Sequence, residues 1–180
     1  MIILLSGGID STASVYYYRE LKYSVTAVFV DYGQAANKIE IESARSVAAY
    51  YKIKLENVSF MSGSIYYQGE IPGRNGFLVF AAILSHPNYV GIVSLGIHSG
   101  TPYYDCSPDF VERMNILLKR YTMGRIILDA PFLKWDKSMI HRYCIDNEIP
   151  LEMTYSCENG TIPPCGTCNS CLDRKALNVG

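Results

Sequence analysis

Met1-Ile2-Ile3-Leu4-Leu5 carries no polar side chain and runs straight into Ser6-Gly7-Gly8-Ile9-Asp10-Ser11-Thr12. The apolar run reads as a buried strand, and Ser11 to Lys22 reads as a helix. A strand, a glycine turn and a helix start make an anion site. The first turn of a helix has backbone N–H groups with no intrahelical partner, and the helix dipole adds partial positive charge there. Gly7 and Gly8 let the backbone curl close to a ligand, and Ser6 and Ser11 add hydroxyl donors. Asp10 would repel a bare phosphate, so its carboxylate is aimed at a metal ion bridging phosphates. The stretch lacks the Gly-Lys-Ser/Thr ending of a Walker A loop. The bland alternative is a serine-glycine turn between any strand and any helix.

The same alternation continues down the chain. Val25 to Val30, Ile53 to Val58, Val90 to Leu95 and Arg125 to Leu128 read as strands. Ile41, Ala44, Ala48 and Tyr51 recur at helical spacing and mark a helix from about Lys38. Phe77 to Leu84 reads as a helix capped by Asn75. Ser107-Pro108 starts a helix whose apolar face is Phe110, Met114, Leu117 and Tyr121. Asp136 caps a last helix bearing Met139, Ile140, Tyr143 and Cys144. This order predicts an α/β protein, a three-layer α/β/α open parallel sheet of five strands with right-handed crossovers. Ligands of such sheets bind at the carboxyl ends of the strands, here the loops at Ser6, Asp31, Phe60, Gly96 and Asp129.

With 180 residues, 49% of them apolar, the chain suits one packed core. Net charge is −1 with no basic run, which argues against a large nucleic-acid surface. The apolar run at Met1 is too short and lacks the basic flank of a signal peptide, and no stretch approaches a membrane span. Six cysteines are present, and four crowd the end: Cys157, Cys165, Cys168 and Cys171. Their C-x7-C-x2-C-x2-C spacing, with Gly160, Pro163, Pro164 and Gly166 for the turns, reads as a closed structural zinc knuckle. An iron–sulfur cluster and four unrelated thiols are the alternatives. Cys144 reads as a small buried hydrophobe. Thiols used this way point to a reducing, cytoplasmic setting.

Ser6-Gly7-Gly8-Ile9-Asp10-Ser11 resembles the PP-loop of the ATP pyrophosphatases. Together with the knuckle it resembles the 7-cyano-7-deazaguanine synthase, or QueC-type, family. Tyr32-Gly33-Gln34 with Glu40 and Ala44 is similar to that family's second-strand motif, and Pro72-Gly73-Arg74-Asn75 to its Pro-Gly-Arg-Asn signature. Asp105-Cys106 with Phe110, Pro131 with Lys137, and Ser156-Cys157 through Arg174 are similar to further family elements. The resemblance implies a PP-loop unit over residues 1–150 and a four-cysteine knuckle over 151–180 packed on it. It implies an ATP-dependent carbon–nitrogen ligase of EC 6.3.4 type, making AMP and pyrophosphate. The enzyme would adenylate 7-carboxy-7-deazaguanine and carry it through the amide to the nitrile. Implied ATP contacts are Leu5, Ser6, Gly7, Gly8, Asp10, Ser11, Thr12, Val30, Tyr32 and Gln34. Implied substrate contacts are Pro72, Gly73, Arg74, Asn75 and Asp105. Catalytic roles fall to Asp10, Ser11, Arg74 and Lys137. The cofactors implied are one structural Zn2+ per chain and Mg2+ with ATP, and the family implies a homodimer.

The sequence also departs from the family. Ala35 and Ala36 stand where the family has Arg-His, and Ser107 where it has the Arg of Asp-Cys-Arg. Thr101-Pro102-Tyr103-Tyr104 replaces its Asp…Gly-Tyr loop, and the segment from Ser59 to Ile71 is shorter. A QueC-like paralogue fits this pattern. Its activated deazaguanine would pass to an amine of a protein or other macromolecule, conceivably in anti-phage defence. Further alternatives are another PP-loop enzyme and a nucleotide-binding module without chemistry.

Overall fold

A computed structural model describes residues 1–60 and 63–178. Met61 and Ser62, inside the irregular Phe60–Ile71 stretch, and the knuckle's last two residues lie outside the described residues. The five expected strands form: β1 (Ile2–Leu4), β2 (Thr26–Asp31), β3 (Lys54–Ser59), β4 (Gly91–Ser94) and β5 (Ile126–Asp129). All pair in parallel in the order β3-β2-β1-β4-β5, with Ile2 opposite both Thr26 and Val93. The order reverses direction between β1 and β4, so the loops leaving those strands diverge and open a crevice between them.

Among the described residues six helices connect or follow the strands: α1 (Ile9–Glu20), α2 (Asn37–Tyr51), α3 (Arg74–Ser85), α4 (Pro108–Thr122), α5 (Lys137–Asp146) and α6 (Asn169–Ala176). Alternation along β1 sends Ile2 and Leu4 to one face, against Val79 and Ala82 of α3 and Phe110, Met114 and Leu118 of α4. Ile3 and Leu5 go to the other, against Val15 and Tyr18 of α1 and Ile41, Ala44 and Val47 of α2. A third cluster joins Ile9 and Ala13 of α1 to Ile140 and Cys144 of α5. Cys144 is fully buried there, as a small hydrophobe should be. That last contact sets the start of α5 beside the start of α1.

Four expectations are corrected. Helix α1 begins at Ile9 with Gly8 as its N-cap, two residues before Ser11. Helix α3 begins at Arg74, because Gly73 at φ +80° turns the chain into it, so Asn75 lies inside the helix and caps nothing. On α4, Leu117 and Tyr121 are 39% and 71% exposed, and Leu118 and Thr122 are buried instead. The buried stripe runs in steps of four, Phe110, Met114, Leu118 and Thr122, and so winds slowly around the helix, away from the line of Leu117 and Tyr121. Helix α5 is not the last: the short α6 follows the cysteine turns.

Candidate active site

A cleft of about 640 Å³ opens at the β1–β4 crevice. The Ser6–Ser11 turn forms its floor. Gly8 as N-cap offers no side-chain hydrogen bond to the start of α1, so the first amides face the cleft as donors. The turn is braced from within. Gly8 N–H donates to Ser6 Oγ (3.3 Å), the Ser11 hydroxyl donates to Gly8 O (3.1 Å), and the two hydroxyls lie 3.2 Å apart. Gly7 holds φ +81°, and a Cβ there would stand 2.7 Å from Ser43 Cβ and 2.8 Å from the Ala44 nitrogen. A Cβ on Gly96, just beyond β4, would stand 2.8 Å from the backbone at Asp10 and Ser11. Glycine on both sides of the crevice thus lets three backbones meet at the helix start.

Asp10, in the first turn of α1, accepts from Lys137 Nζ on both oxygens, at 2.8 and 2.6 Å. Lys137 is the first residue of α5, and the Asp136 carboxylate caps that helix by accepting from Met139 N–H (2.8 Å). His98 Nε2 lies 3.7 Å from Asp10 Oδ2, and Gly100 N–H donates to its Nδ1 (3.1 Å). That bond leaves the neutral ring's proton on Nε2, facing Asp10. Burial holds the His98 pKa below its usual range, against the pull of Asp10.

The polar turn after β2 is equally ordered. Gln34 accepts from Tyr32 N–H (2.9 Å) and donates to Val30 O and Glu40 Oε2, both at 3.1 Å. Burial lifts the Glu40 carboxyl to about 7, a rise the Gln34 bond opposes. The Arg74 guanidinium lies beside the Tyr32 hydroxyl. Asn75, 3% exposed, donates its backbone N–H to Asp105 Oδ2 (3.0 Å) and its side chain to Asp105 O (2.9 Å). This bond locks the start of α3 to the loop after β4. Cys106 beside it is a neutral thiol, pushed up to about 11 by burial.

Leu5, Ser6, Gly8, Asp10, Ser11, Val30, Tyr32, Gln34, Arg74, Asn75 and Lys137 therefore line one cleft. Gly7 and Thr12 stand behind it, Gly7 against α2 and Thr12 fully buried. Pro72 and Gly73 border a neighbouring cavity, and Asp105 acts through Asn75. Two sets of lining residues were not singled out from the sequence. One is His98, which lies on a loop already marked by its place after a strand. The other is a wall made by Tyr155, Glu158 and the start of α6, beside Ser156, which the resemblance had marked. No periodic signal in the cysteine segment announces that wall.

The knuckle supplies it. The thiols of Cys157, Cys165, Cys168 and Cys171 lie within 4.8 Å of one another, with Cys165 and Cys171 Sγ atoms 3.9 Å apart. One ion bonded to four sulfurs at about 2.3 Å sets a tetrahedral edge of about 3.8 Å, so the residues fit a single metal ion. A cluster of several irons and sulfides would hold its four thiolates wider apart. Backbone N–H groups of Cys165 and Cys168 donate to sulfur at 3.4 Å, as the outer shell of a thiolate site does. Tyr155 N–H donates to Gly7 O (3.0 Å), and Glu158 accepts from Gly69 N–H (3.1 Å) and the Ser170 hydroxyl (2.8 Å). A Cβ on Gly160 would meet Ala35 O at 2.5 Å and Ala36 Cα at 2.8 Å, so the knuckle presses on Ala35 and Ala36. Ser107 caps α4 by accepting from Phe110 N–H (3.1 Å).

Comparison with known proteins points the same way. The family described as "Queuosine biosynthesis protein QueC" matches residues 1–67 and 64–178. The chain is 30% identical to the 7-cyano-7-deazaguanine synthase of Persephonella marina, over 97% of this chain and 89% of that protein. With the synthase of Methanoculleus marisnigri the identity is 31%, over 97% and 91%. Among solved structures it resembles the U34-tRNA thiolase NcsA of Methanococcus maripaludis with its [4Fe-4S] cluster, with TM-score 0.58 and 14% identity, over 98% of this chain and 63% of that one. It also resembles a 4-thiouridine synthetase in complex with RNA and bound ATP, with TM-score 0.58 and 15% identity, over 98% and 49%. At those identities the two structures speak for the fold alone.

Proposed function

The chain belongs to the QueC family, and from that premise we propose that it uses ATP to activate the carboxylate of a 7-deazaguanine and convert it to a carbon–nitrogen product. One observation carries the reading. The Ser6–Ser11 turn, the Asp10–Lys137 pair and Arg74, from three distant parts of the chain, line the same cleft. A carboxylate oxygen of 7-carboxy-7-deazaguanine attacks the α-phosphorus of ATP. The bond to the bridging oxygen breaks and pyrophosphate leaves. Ammonia attacks the acyl-adenylate carbonyl, AMP leaves with loss of a proton, and the amide forms. A second ATP takes the amide oxygen through the same adenylation, and loss of AMP and the remaining N–H protons leaves the nitrile.

Each protein group has a task in that sequence. The amides at the start of α1 and the Ser6 and Ser11 hydroxyls hold phosphate oxygens where charge builds on pyrophosphate. Lys137 orients Asp10 and adds a cation at the same place. Arg74 holds the substrate carboxylate for in-line attack. Asp10 is the carboxylate that would hold Mg2+ together with ATP phosphates, and the ion when bound draws charge from the leaving group. The four thiolates would hold one structural zinc ion, which ties the cysteine turns together. We read residues 1–150 as the nucleotide unit and 151–180 as the knuckle that completes its cleft, working in the cytoplasm. Among the described residues no helix is long and apolar enough to cross a membrane.

The test is a mass-spectrometric assay with ATP, magnesium and 7-carboxy-7-deazaguanine, run with and without ammonium. AMP, amide and nitrile are expected with ammonium. AMP without nitrile keeps the activation step and moves the acceptor to another amine, such as a protein's. No carboxylate-dependent AMP overturns the reading.

A further inference from the structure

Beside the cleft lies a second cavity, of about 330 Å³, which shares Tyr32 and Arg74 with it. Phe60, Tyr66, Pro72 and Phe77 make most of its other walls. The rings come from separate segments, and each is held. Tyr66 N–H donates to Gly33 O (2.9 Å) and Ala35 N–H donates to Tyr66 O (2.8 Å), so the segment runs as an extra parallel rung beyond β2. Phe60 N–H donates to Asp31 O (2.8 Å), and Phe77 N–H donates to Gly73 O (2.9 Å) in the first turn of α3. The rings pair edge-on or tilted: Phe60 with Phe77 at 5.1 Å, Tyr32 with Tyr66 at 6.0 Å. Four aromatic walls around so small a space suit the faces and edges of a flat ligand.

Arg74 is the one charged residue lining this cavity among the described residues. The Tyr32 hydroxyl stands beside it, while Asp105 acts on it only from beyond ion-pair distance. No carboxylate among the described residues stands within 4.0 Å of it. A half-buried guanidinium without an anion has lost hydration that an anion would repay, and its planar fork matches a carboxylate.

We infer that this cavity holds the ring system of a planar heteroaromatic carboxylate, with the carboxylate on Arg74 at the wall shared with the nucleotide cleft. The inference rests on the proposed function and deepens it. It places the second substrate in a compartment of its own and makes Phe60, Tyr66 and Phe77 the residues that select a flat ring. The reacting carboxylate and the nucleotide then approach Arg74 from adjoining compartments.

Isothermal titration of the full-length protein with 7-carboxy-7-deazaguanine, and separately with magnesium ATP, tests this. Phe77→Ala and Tyr66→Ala should each weaken binding of the carboxylate about tenfold and leave ATP binding within about twofold. Tyr66→Phe keeps the ring and should bind as the parent does. Phe77 is 38% exposed, so its truncation spares the core, and ATP binding reports a folded site in every variant. The inference is overturned if the parent protein does not bind the carboxylate. It is overturned too if both alanine variants bind it unchanged, or if the loss falls on ATP instead. AMP release by the parent, measured alongside, judges the chemistry separately. Binding as expected without AMP sinks the chemistry and keeps the pocket, and AMP with unmoved affinities does the reverse.

Discussion

Three glycines around the crevice separate two costs that usually come together. Gly73 holds φ +80° with nothing within 4 Å of where a Cβ would stand, so alanine there meets only the left-handed backbone penalty, about 1 kcal/mol. Gly96 has no such φ, but its Cβ would lie 2.8 Å from the Asp10 carbonyl carbon and the Ser11 nitrogen. Alanine there meets overpacking alone, about 1–3 kcal/mol. Gly7 combines φ +81° with contacts of 2.7 and 2.8 Å to Ser43, Ala44 and Glu40. Most of those atoms are helix backbone and cannot rotate aside, so Gly7→Ala should cost the sum, about 2–4 kcal/mol. The entropy that alanine removes from the unfolded chain is common to all three variants and cancels in the differences. Urea unfolding followed by circular dichroism measures the series, provided the slopes agree. Gly96→Ala should also lower AMP formation, since it displaces the start of α1. A Gly7→Ala protein no less stable than Gly73→Ala would show that α2 yields freely, and the close approach of α2 to the phosphate turn would not matter.

Lys137→Met strips the cation from a carboxylate that is 19% exposed. Loss of about 1–3 kcal/mol is expected by denaturant titration, with AMP formation down at least about a hundredfold; full turnover would exclude Lys137 from the reaction. Asp10→Ala should abolish AMP formation while ATP still binds, as measured by product chromatography and titration. The parent chain should carry about one equivalent of zinc by elemental analysis, and Cys168→Ser should lose it. Because Tyr155 is bonded to Gly7, that variant should bind ATP more weakly as well, and unchanged ATP affinity would uncouple knuckle from cleft. Burial raises the Glu40 carboxyl from 4.5 to about 7, so between those values the folded chain keeps a proton that the unfolded chain has lost. Stability from this group falls as pH rises through that window and is level above it. Glu40→Gln should remove the fall, about 3 kcal/mol, in denaturant midpoints measured across the range. Parallel curves for the two proteins would contradict this.

Much of this was legible in the chain. The inner strands β1 and β2 were legible because parallel strands buried on both faces are uninterrupted apolar runs, whereas the edge strand β3, Lys54–Ser59, buries none of its residues and carries a weaker signal. The Ser6–Ser11 turn was legible because glycine, hydroxyl and carboxylate sit in consecutive positions. The four cysteines were legible because metal ligands keep short, regular spacings. Asn75 was misread as a cap because a polar residue before an apolar run looks the same whether it caps a helix or reaches across to Asp105. Helix α6 carries no period in the sequence, because among its eight residues only Cys171 is buried and Leu172 is exposed.

The sequence by itself determined the strand order of appearance, the glycine turn at Ser6–Ser11, the four-cysteine knuckle and the family, since each is written in local residue order. Only the tertiary structure decided that Lys137 pairs with Asp10 across 127 residues, that the knuckle walls the cleft, and that rings from three segments enclose a second cavity against Arg74. Those facts depend on where the β1–β4 reversal sends each loop and on how α1 packs against α5. Such long-range contacts are set by core packing and chain topology, and no neighbouring residue records them.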